Sequence, residues 1–338
     1  MKISDIQRYD SKKMYEAYDY WPKSAKEHYE KDFSKLEIDN VDHIVFAGMG
    51  GSGTIGDIIS SILSKTNIHV NVVKGYLLPK TVDSNTLVVA TSISGNTDEV
   101  VSIVKNSKKS KAKFISFSSG GNLEKISIAN NVKYIKIPQI HSPRASLPSF
   151  LYTTLNVLEN IIPIKKNDIL ESISKLEQTQ KLISSSNLNE KNPSLSLANW
   201  IKNMPIIYYP WGLQAAAIRF KNSLQENAKL HTIAEDVIEC CHNGIVAWEN
   251  KTNVQPIIIQ GYDDHIKTKE RWKIFKEFLQ SRQIDFKEIN SGSGNILSKI
   301  MHLIYLFDYS TIYHAIESMI DPTPVKSIEF IKKRLSEN

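Results

Sequence analysis

The feature that most constrains the fold is a repeated alternation between short β-branched runs and longer stretches of helical periodicity. Strands separated by helices run parallel, because each helix carries the chain back to the same end of the sheet. Helices then cover both faces of that sheet, so its strands are continuously apolar. The strands predicted in the first half are 43–48, 69–75, 86–92, 113–119 and 133–138. The pattern predicts an α/β fold.

The second half of the 338-residue chain repeats this rhythm, so we predict two domains. Its predicted strands are 205–210, 244–248, 255–261 and 285–289. The predicted long helices are 149–161, 213–230, 268–282 and 296–318, with a last helix after Pro324. A polar stretch rich in Ser, Asn and Pro separates the halves, which is typical of a linker. The predicted division is 1–153, a connecting helix and linker over 154–195, and 196–338.

Composition excludes several classes of site. The only cysteines, Cys240 and Cys241, are adjacent, and such a pair provides neither a disulfide framework nor a zinc site. No run approaches the roughly 20 apolar residues of a membrane span, and the start of the chain lacks a signal peptide pattern. We therefore expect a cytoplasmic protein without a membrane partner. The basic run 105–113 lacks interleaved aromatic residues, which favours the end of a surface helix over a nucleic-acid site.

A glycine-rich turn follows the first predicted strand. Gly48, Gly50 and Gly53 spell G-x-G-x-x-G, the phosphate turn of many dinucleotide-binding folds. An NAD site usually adds an acidic residue at the end of the second strand, where this chain has Lys74 and Gly75. An NADP site could use Lys74. The missing acid argues against NAD.

A second turn, "SISGNT", follows the third predicted strand. It places Ser92, Ser94, Asn96 and Thr97 at the start of a helix, where hydroxyls and backbone N–H groups converge. That combination suits a phosphate monoester. The alternative is that these residues only cap the helix. Because one cap needs one hydroxyl and the turn offers three, we favour phosphate binding.

The order of the motifs resembles that of a known family. The two turns and the strand between them are similar to those of sugar isomerase (SIS) domains. From about residue 40 onward the chain resembles bifunctional phosphoglucose/phosphomannose isomerases, through "SPRAS" (142–146), "QENAK" (225–229), "HNG" (242–244) and "DPTPVKSIEFIK" (321–332). The resemblance implies two SIS-type, flavodoxin-like domains, each a parallel sheet flanked by helices, in a homodimer. It also implies interconversion of glucose 6-phosphate, mannose 6-phosphate or both with fructose 6-phosphate through a cis-enediol.

The resemblance also implies roles for individual residues. Glu226 is the base, Arg144 stabilises the enediolate, His242 assists ring opening, and Lys332 approaches the substrate oxygens. His242 is expected to reach the site of a neighbouring subunit, and Lys333 could replace Lys332 if the match is displaced by one position. The implied substrate-binding residues are Gly50, Gly51, Ser52, Ser92, Ser94 and Thr97.

Each assignment has a simpler alternative. Glu226 could be a surface carboxylate paired with Lys229, Arg144 a surface loop residue, and Lys332 part of a solvated helix face. The family commonly has an acid where this chain has Gly244, so contacts around His242 should differ. No H-x-H or clustered His/Glu pattern indicates a metal, and no cofactor is expected.

Three other functions remain open from the sequence. They are a non-catalytic sugar-phosphate sensor, an amino-sugar phosphate isomerase and a nucleotide-dependent dehydrogenase.

Overall fold

The computed structural model describes residues 1–337. Its first sheet is parallel throughout and has the strand order β2-β1-β3-β4-β5. The strands are β1 (His43–Ala47), β2 (His69–Val73), β3 (Thr86–Ser92), β4 (Lys113–Ser118) and β5 (Lys133–Lys136). All five strands predicted for the first half are therefore confirmed, with some ends shortened by one or two residues.

The strand order sets the position of the site. Strands β1 and β3 are buried along their whole length, as their continuous apolar runs predict, and they pair with each other. Strands β2 and β3 flank β1 on opposite sides. The sheet is therefore built outward from β1 in both directions. Ligands of such sheets bind beyond the carboxyl ends of the strands at this switch point. Both glycine- and hydroxyl-rich turns lie there.

Helices cover both faces of this sheet. They are α1 (Ile3–Tyr9), α2 (Met14–Asp19), α3 (Trp21–Glu30), α4 (Gly50–Leu63), α5 (Asp98–Lys105), α6 (Gly121–Ala129) and α7 (Leu147–Val157). Helix α4 packs tightly on β1, because a Cβ at Gly56 would lie 2.6 Å from the Phe46 side chain. The basic run begins at the end of α5, where Lys105, Lys108 and Lys109 are exposed, as the sequence predicted.

The second half contains a four-stranded parallel sheet in the order β7-β6-β8-β9. Its strands are β6 (Pro205–Tyr209), β7 (Ile233–Asp236), β8 (Gln255–Gln260) and β9 (Lys287–Asn290). The remaining helices are α8 (Lys166–Ile183), α9 (Pro193–Trp200), α10 (Gln214–Asn227), α11 (Val237–Cys240), α12 (Ile266–Ser281), α13 (Ile296–Glu317) and α14 (Lys326–Ser336). The α/β class and two-sheet architecture are confirmed.

One strand prediction is wrong. The sequence predicts a strand over residues 244–248, but Gly244–Glu249 is a 3₁₀ helix. Trp248 within it is buried, and its Nε1 donates a hydrogen bond to the Tyr208 hydroxyl at 2.8 Å. The strand at this edge is instead β7, which pairs with β6.

The two halves share one large core. Helix α13 is buried over nearly all of its length and packs against α8, α9 and α10. Near its middle, Asp308 is fully buried and pairs with Arg219 of α10, with 2.7 Å between Nη2 and Oδ2. Helix α8 lies within the predicted connecting segment, 154–195. The domain bounds at 153 and 195 stay a prediction. Within residues 1–337, no helix combines the length and the apolar character that a bilayer crossing requires.

Candidate active site

The first turns of α4 and α5 border a common cavity of about 400 Å³. They meet because each helix follows one of two adjacent parallel strands, β1 and β3. The cavity contains every site residue expected from the sequence except Ser92 and His242. Those in its lining are Gly50, Gly51, Ser52, Ser94, Thr97, Arg144, Glu226 and Lys332.

The turn after β3 is bonded within itself and packs closely against the turn after β4. Gly95 has a φ of +72°, and a Cβ there would lie 1.7 Å from the carbonyl oxygen of Gly120, so glycine is required. Ser92 is buried beneath the turn; its hydroxyl donates to the Thr97 hydroxyl at 2.8 Å and accepts from the Thr97 N–H at 3.3 Å. Ser94 and Thr97, rather than Ser92, therefore reach the cavity.

The hydroxyl of Thr97 does not cap helix α5, whereas those of Ser92 and Ser94 accept N–H groups within the turn, at 3.3 and 3.4 Å. Thr97 occupies the N-cap position of α5, but its side chain makes no capping hydrogen bond. The start of a helix carries partial positive charge and N–H groups without helical partners, which favours an anion. Asp98 and Glu99 also border the cavity, and they oppose an anion, whereas Lys332 favours one.

The turn after β1 brings the backbone close to the cavity. Gly50 has a φ of +52°, which suits glycine, and a Cβ on Gly51 would lie 3.4 Å from the Pro143 carbonyl oxygen. Ser52 links this turn to the other, because its hydroxyl accepts a hydrogen bond from the Ile93 N–H at 3.2 Å.

Lys74, the cation that an NADP site would need, pairs with Asp57. The Lys74 ammonium lies 2.8 and 3.0 Å from the two carboxylate oxygens of Asp57 on α4. In addition, a Cβ at Gly53 would lie 2.8 Å from the Gly48 carbonyl oxygen and 3.2 Å from Lys74. Gly53, the last glycine of the pattern, thus allows α4 to pack closely on the turn after β1.

Arg144 lies beside Glu226. It follows β5 in a short 3₁₀ helix and is 5% exposed, so the alternative of a surface loop arginine is wrong. Its Nη1 lies 3.3 Å from Glu226 Oε2, and its Nε donates to the side-chain oxygen of Asn227 at 2.6 Å. A fixed cation therefore faces the cavity next to a carboxylate that is partly accessible.

The same guanidinium holds the segment that leads to α14. Arg144 Nη2 donates to the carbonyl oxygens of Pro322 and Thr323, at 2.7 and 2.9 Å. Beyond this segment, α14 brings Lys332 to the cavity, together with the apolar side chains Ile328, Ile331 and Leu335. Lys333 is not in the lining of this cavity.

A second, more open cavity of about 750 Å³ shares Gly50, Glu226, Val325 and Ile328 with the first. The candidate base therefore borders both spaces. The start of α14 lies between them.

His242 lies outside the cavity of its own chain. It is exposed and follows α11. Two residues further on, a Cβ at Gly244 would lie 2.6 Å from both carboxylate oxygens of Glu235. Glu235 thus occupies the space beside the position where the family commonly has an acid. Burial, and the nearby Glu239 carboxylate, raise the pKa of Glu235.

Sequence reasoning missed two residues of this region. Asn227 orients Arg144, and Glu235 fills the space at Gly244; neither stands out from a linear pattern, although Asn227 belongs to "QENAK". Over residues 1–337, no three His, Cys, Asp or Glu side chains gather closely enough to hold a metal ion.

Family models match both halves of the chain. Residues 37–157 match the SIS domain, and residues 190–335 match the bacterial phospho-glucose isomerase C-terminal SIS domain.

Relatives of known name match nearly the whole length. The bifunctional phosphoglucose/phosphomannose isomerase of Caldicellulosiruptor bescii is 32% identical over 341 residues, covering 96% of this chain and 99% of the relative. The protein of the same name from Thermoplasma acidophilum is 31% identical, covering 87% and 90%. A crystal structure of a hypothetical protein from Thermus thermophilus shares the fold, with a TM-score of 0.75, 12% identity, and coverage of 99% and 93%.

Proposed function

We propose that this isomerase, a chain that belongs to the family of bifunctional phosphoglucose/phosphomannose isomerases, interconverts fructose 6-phosphate with glucose 6-phosphate and mannose 6-phosphate. One observation carries the proposal for the site. Glu226 and Arg144 lie in contact at one cavity, and the hydroxyl-rich turn after β3 borders the same cavity. A base, a cation and an anion cradle are the groups that this reaction requires.

The phosphate is assigned to the turn after β3. The hydroxyls of Ser94 and Thr97 and the first N–H groups of α5 would bind it, while Ser92 holds Thr97 in place. The sugar would then lie against Gly50, Gly51 and Ser52. Anchoring the unreactive end in this way orients C1 and C2 towards Glu226.

The proton transfer needs one base and one cation. Starting from the open chain of fructose 6-phosphate, the Glu226 carboxylate removes a proton from C1, and the electron pair forms the C1–C2 double bond while negative charge develops on O2. The Arg144 guanidinium stabilises that oxygen. A proton then passes from O1 to O2, and return of the abstracted proton to C2, with formation of the C1=O bond, yields an aldose. Because C2 is planar in the enediol, return to one face gives glucose 6-phosphate and return to the other gives mannose 6-phosphate.

The roles of His242 and Lys332 extend the proposal. Lys332 would approach the substrate oxygens from α14. His242 is exposed and lies outside its own cavity, which supports a homodimer in which it assists ring opening in the neighbouring subunit. The free cysteines Cys240 and Cys241 fit the reducing cytoplasm.

The decisive experiment supplies fructose 6-phosphate, with a chelator present, and measures glucose 6-phosphate and mannose 6-phosphate in separate coupled assays. We expect both products. Absence of both would reject the proposed reaction, and binding without turnover would indicate a sugar-phosphate sensor instead. Glucosamine 6-phosphate as a parallel substrate tests the amino-sugar alternative.

Glu226→Gln tests the base directly. Removing a positioned base should lower kcat by about 10²–10⁴-fold. Calorimetry should still detect binding of fructose 6-phosphate, because the phosphate turn is unchanged. Glu177→Gln, at an exposed position on α8, is the matched control and should keep full activity. Turnover by Glu226→Gln at the wild-type rate would remove Glu226 from this role.

A further inference from the structure

We infer that Lys229 is a positioning residue whose side chain fastens the segment carrying α14 to the end of α10, and thereby places Lys332 in the cavity of Glu226. The inference rests on the proposed function for its catalytic consequence. Its structural part stands on contacts that the proposed reaction does not use.

The Lys229 ammonium joins two separate parts of the chain. It donates to the carbonyl oxygens of Glu226 and Asn227 at the end of α10, at 2.8 and 3.3 Å. It also donates to the carbonyl oxygens of Asp321 and Pro322, at 3.1 and 3.3 Å. An ammonium has three N–H donors, so these four carbonyls share them.

The backbone at Lys229 makes this reach possible. Helix α10 ends at Asn227, and Lys229 follows with a φ of +56° in the left-handed region. The chain turns there, and the side chain comes back to carbonyls that the helix end leaves without helical partners. A cation at this end of a helix is also favoured by the helix dipole.

Lys229 and Arg144 bind the same segment before α14. Arg144 holds the carbonyls of Pro322 and Thr323, and Lys229 holds those of Asp321 and Pro322. Three successive carbonyls are thus bound by two cations immediately before α14 begins at Lys326.

The fastening matters because the body of the protein covers α14 only lightly. Residues on several sides of it are exposed, including Ile328, Phe330, Ile331 and Leu335. With so little packing of its own, the helix depends on the preceding segment for its position. Lys332 is carried on this helix, so its place in the cavity depends on the same tie.

The side chain is charged under ordinary conditions. Burial, and then the Arg144 charge, lower the pKa of Lys229 to about 8, while Asp321 and Glu226 act in the opposite direction. The amine therefore keeps its proton near neutral pH. Assays near pH 7 test the protonated form.

The experiment compares Lys229→Met with Lys229→Arg and follows two readouts. The first is steady-state isomerisation; the second is hydrogen exchange in the α14 backbone. We expect Lys229→Met to lower kcat on the order of 100-fold, with KM for fructose 6-phosphate changed less than about threefold, because the phosphate turn is untouched. Exchange in α14 should accelerate, while exchange in α5 stays unchanged.

Lys229→Arg should restore kcat to within about tenfold of wild type, because guanidinium also donates to carbonyls. The control is Lys221→Met on the same helix: Lys221 donates to Gln225, and no other hydrogen bond or ion pair of its side chain is described within residues 1–337. It should behave as wild type in both readouts.

Unchanged exchange in α14 of the folded Met variant overturns the inference, whether or not activity is lost. So does an Arg variant that folds but is as impaired as the Met variant. A wild-type chain without turnover would reject the proposed function, and the exchange comparison would still decide the role of Lys229.

Discussion

Arg144 joins two separate parts of the chain. It contacts Glu226 and Asn227 on α10 and the two carbonyls before α14. Asn227 is itself fixed by a 2.8 Å hydrogen bond to Thr311, and Arg219 donates to the Arg144 carbonyl at 2.7 Å. Motifs identified Arg144 and Glu226 from the sequence. They could not identify Asn227 as a supporting residue, because its role depends on partners more than 80 positions away.

Ser92 is a second residue whose position in the site the sequence did not predict. The sequence grouped it with Ser94 and Thr97 as a phosphate ligand, since all three hydroxyls fall in one turn. Ser92 is the last residue of β3, which is buried along its whole length, and its hydroxyl bonds to Thr97 and does not line the cavity. A linear pattern gives the hydroxyls but not the face on which each one lies.

Gly244→Asp should destabilise the fold. The new side chain would meet the Glu235 carboxylate, and two negative charges would share one small space. We expect a loss of about 1–2 kcal/mol in the free energy of unfolding, measured with urea.

Replacing Glu235 by Ala in the same chain should recover part of that loss, giving a coupling of about 0.5 kcal/mol or more. Gly212→Asp is the matched control, since a Cβ there meets nothing within 4 Å. Equal losses at positions 212 and 244, with no coupling to Glu235, would contradict the explanation.

At the scale of elements, apolar patterning predicted the buried strands and long helices well. It failed where runs were short and partly exposed. The apolar residues of 244–248 resemble a strand but form a 3₁₀ helix that brings Trp248 into the core. Conversely, β7 reads "IAED", with two acids in four residues, because it is an edge strand. Short runs do not distinguish helix from strand, since both can bury the same side chains.

Of the two neighbouring lysines on α14, Lys332 lines the cavity and Lys333 does not. Lys332→Met should lower kcat by about 10²-fold, because it removes a cation from the cavity in which enediolate charge develops. Lys333→Met should change kcat far less. Steady-state kinetics with fructose 6-phosphate measures both, and a greater loss in the Lys333 variant would reverse the assignment.

The whole molecule is organised around α13 and the site between the halves. The cavity is lined by two turns of the first sheet, by Glu226 of α10 and by Lys332 of α14. The sequence predicted both sheets, and the family resemblance implied that these residues share one substrate, but neither gave the contacts that hold them together. Contacts such as the buried Arg219–Asp308 pair follow from packing of distant segments, and no local pattern encodes them.

Stability should fall in mild acid because of one partly buried histidine on α13. Burial lowers the pKa of His302 from 6.5 to about 4, with a smaller effect from Lys175, and its Nδ1 lies 2.7 Å from the Thr179 hydroxyl. The unfolded chain binds a proton below pH 6.5, whereas the folded chain stays neutral down to about pH 4. In this window His302 should reduce the free energy of unfolding by up to about 1.4 kcal/mol per pH unit as pH falls.

His302→Gln should flatten that dependence. Urea unfolding across this pH window measures it, and His231→Gln, at an exposed position, should leave the slope unchanged. An identical slope in the His302 variant would show that other groups cause the acid sensitivity.

The contacts of α2 with α13 have a consequence for biosynthesis. The Tyr305 hydroxyl donates to the Tyr18 carbonyl at 2.8 Å, and the Tyr18 hydroxyl lies 3.3 Å from Asp308. These partners are separated by 287 and 290 positions. During translation α2 is synthesised early, and roughly tens of seconds pass before α13, which covers its aromatic side chains, is synthesised. Until then the nascent chain exposes them, and this is the interval in which a chaperone would find a binding surface.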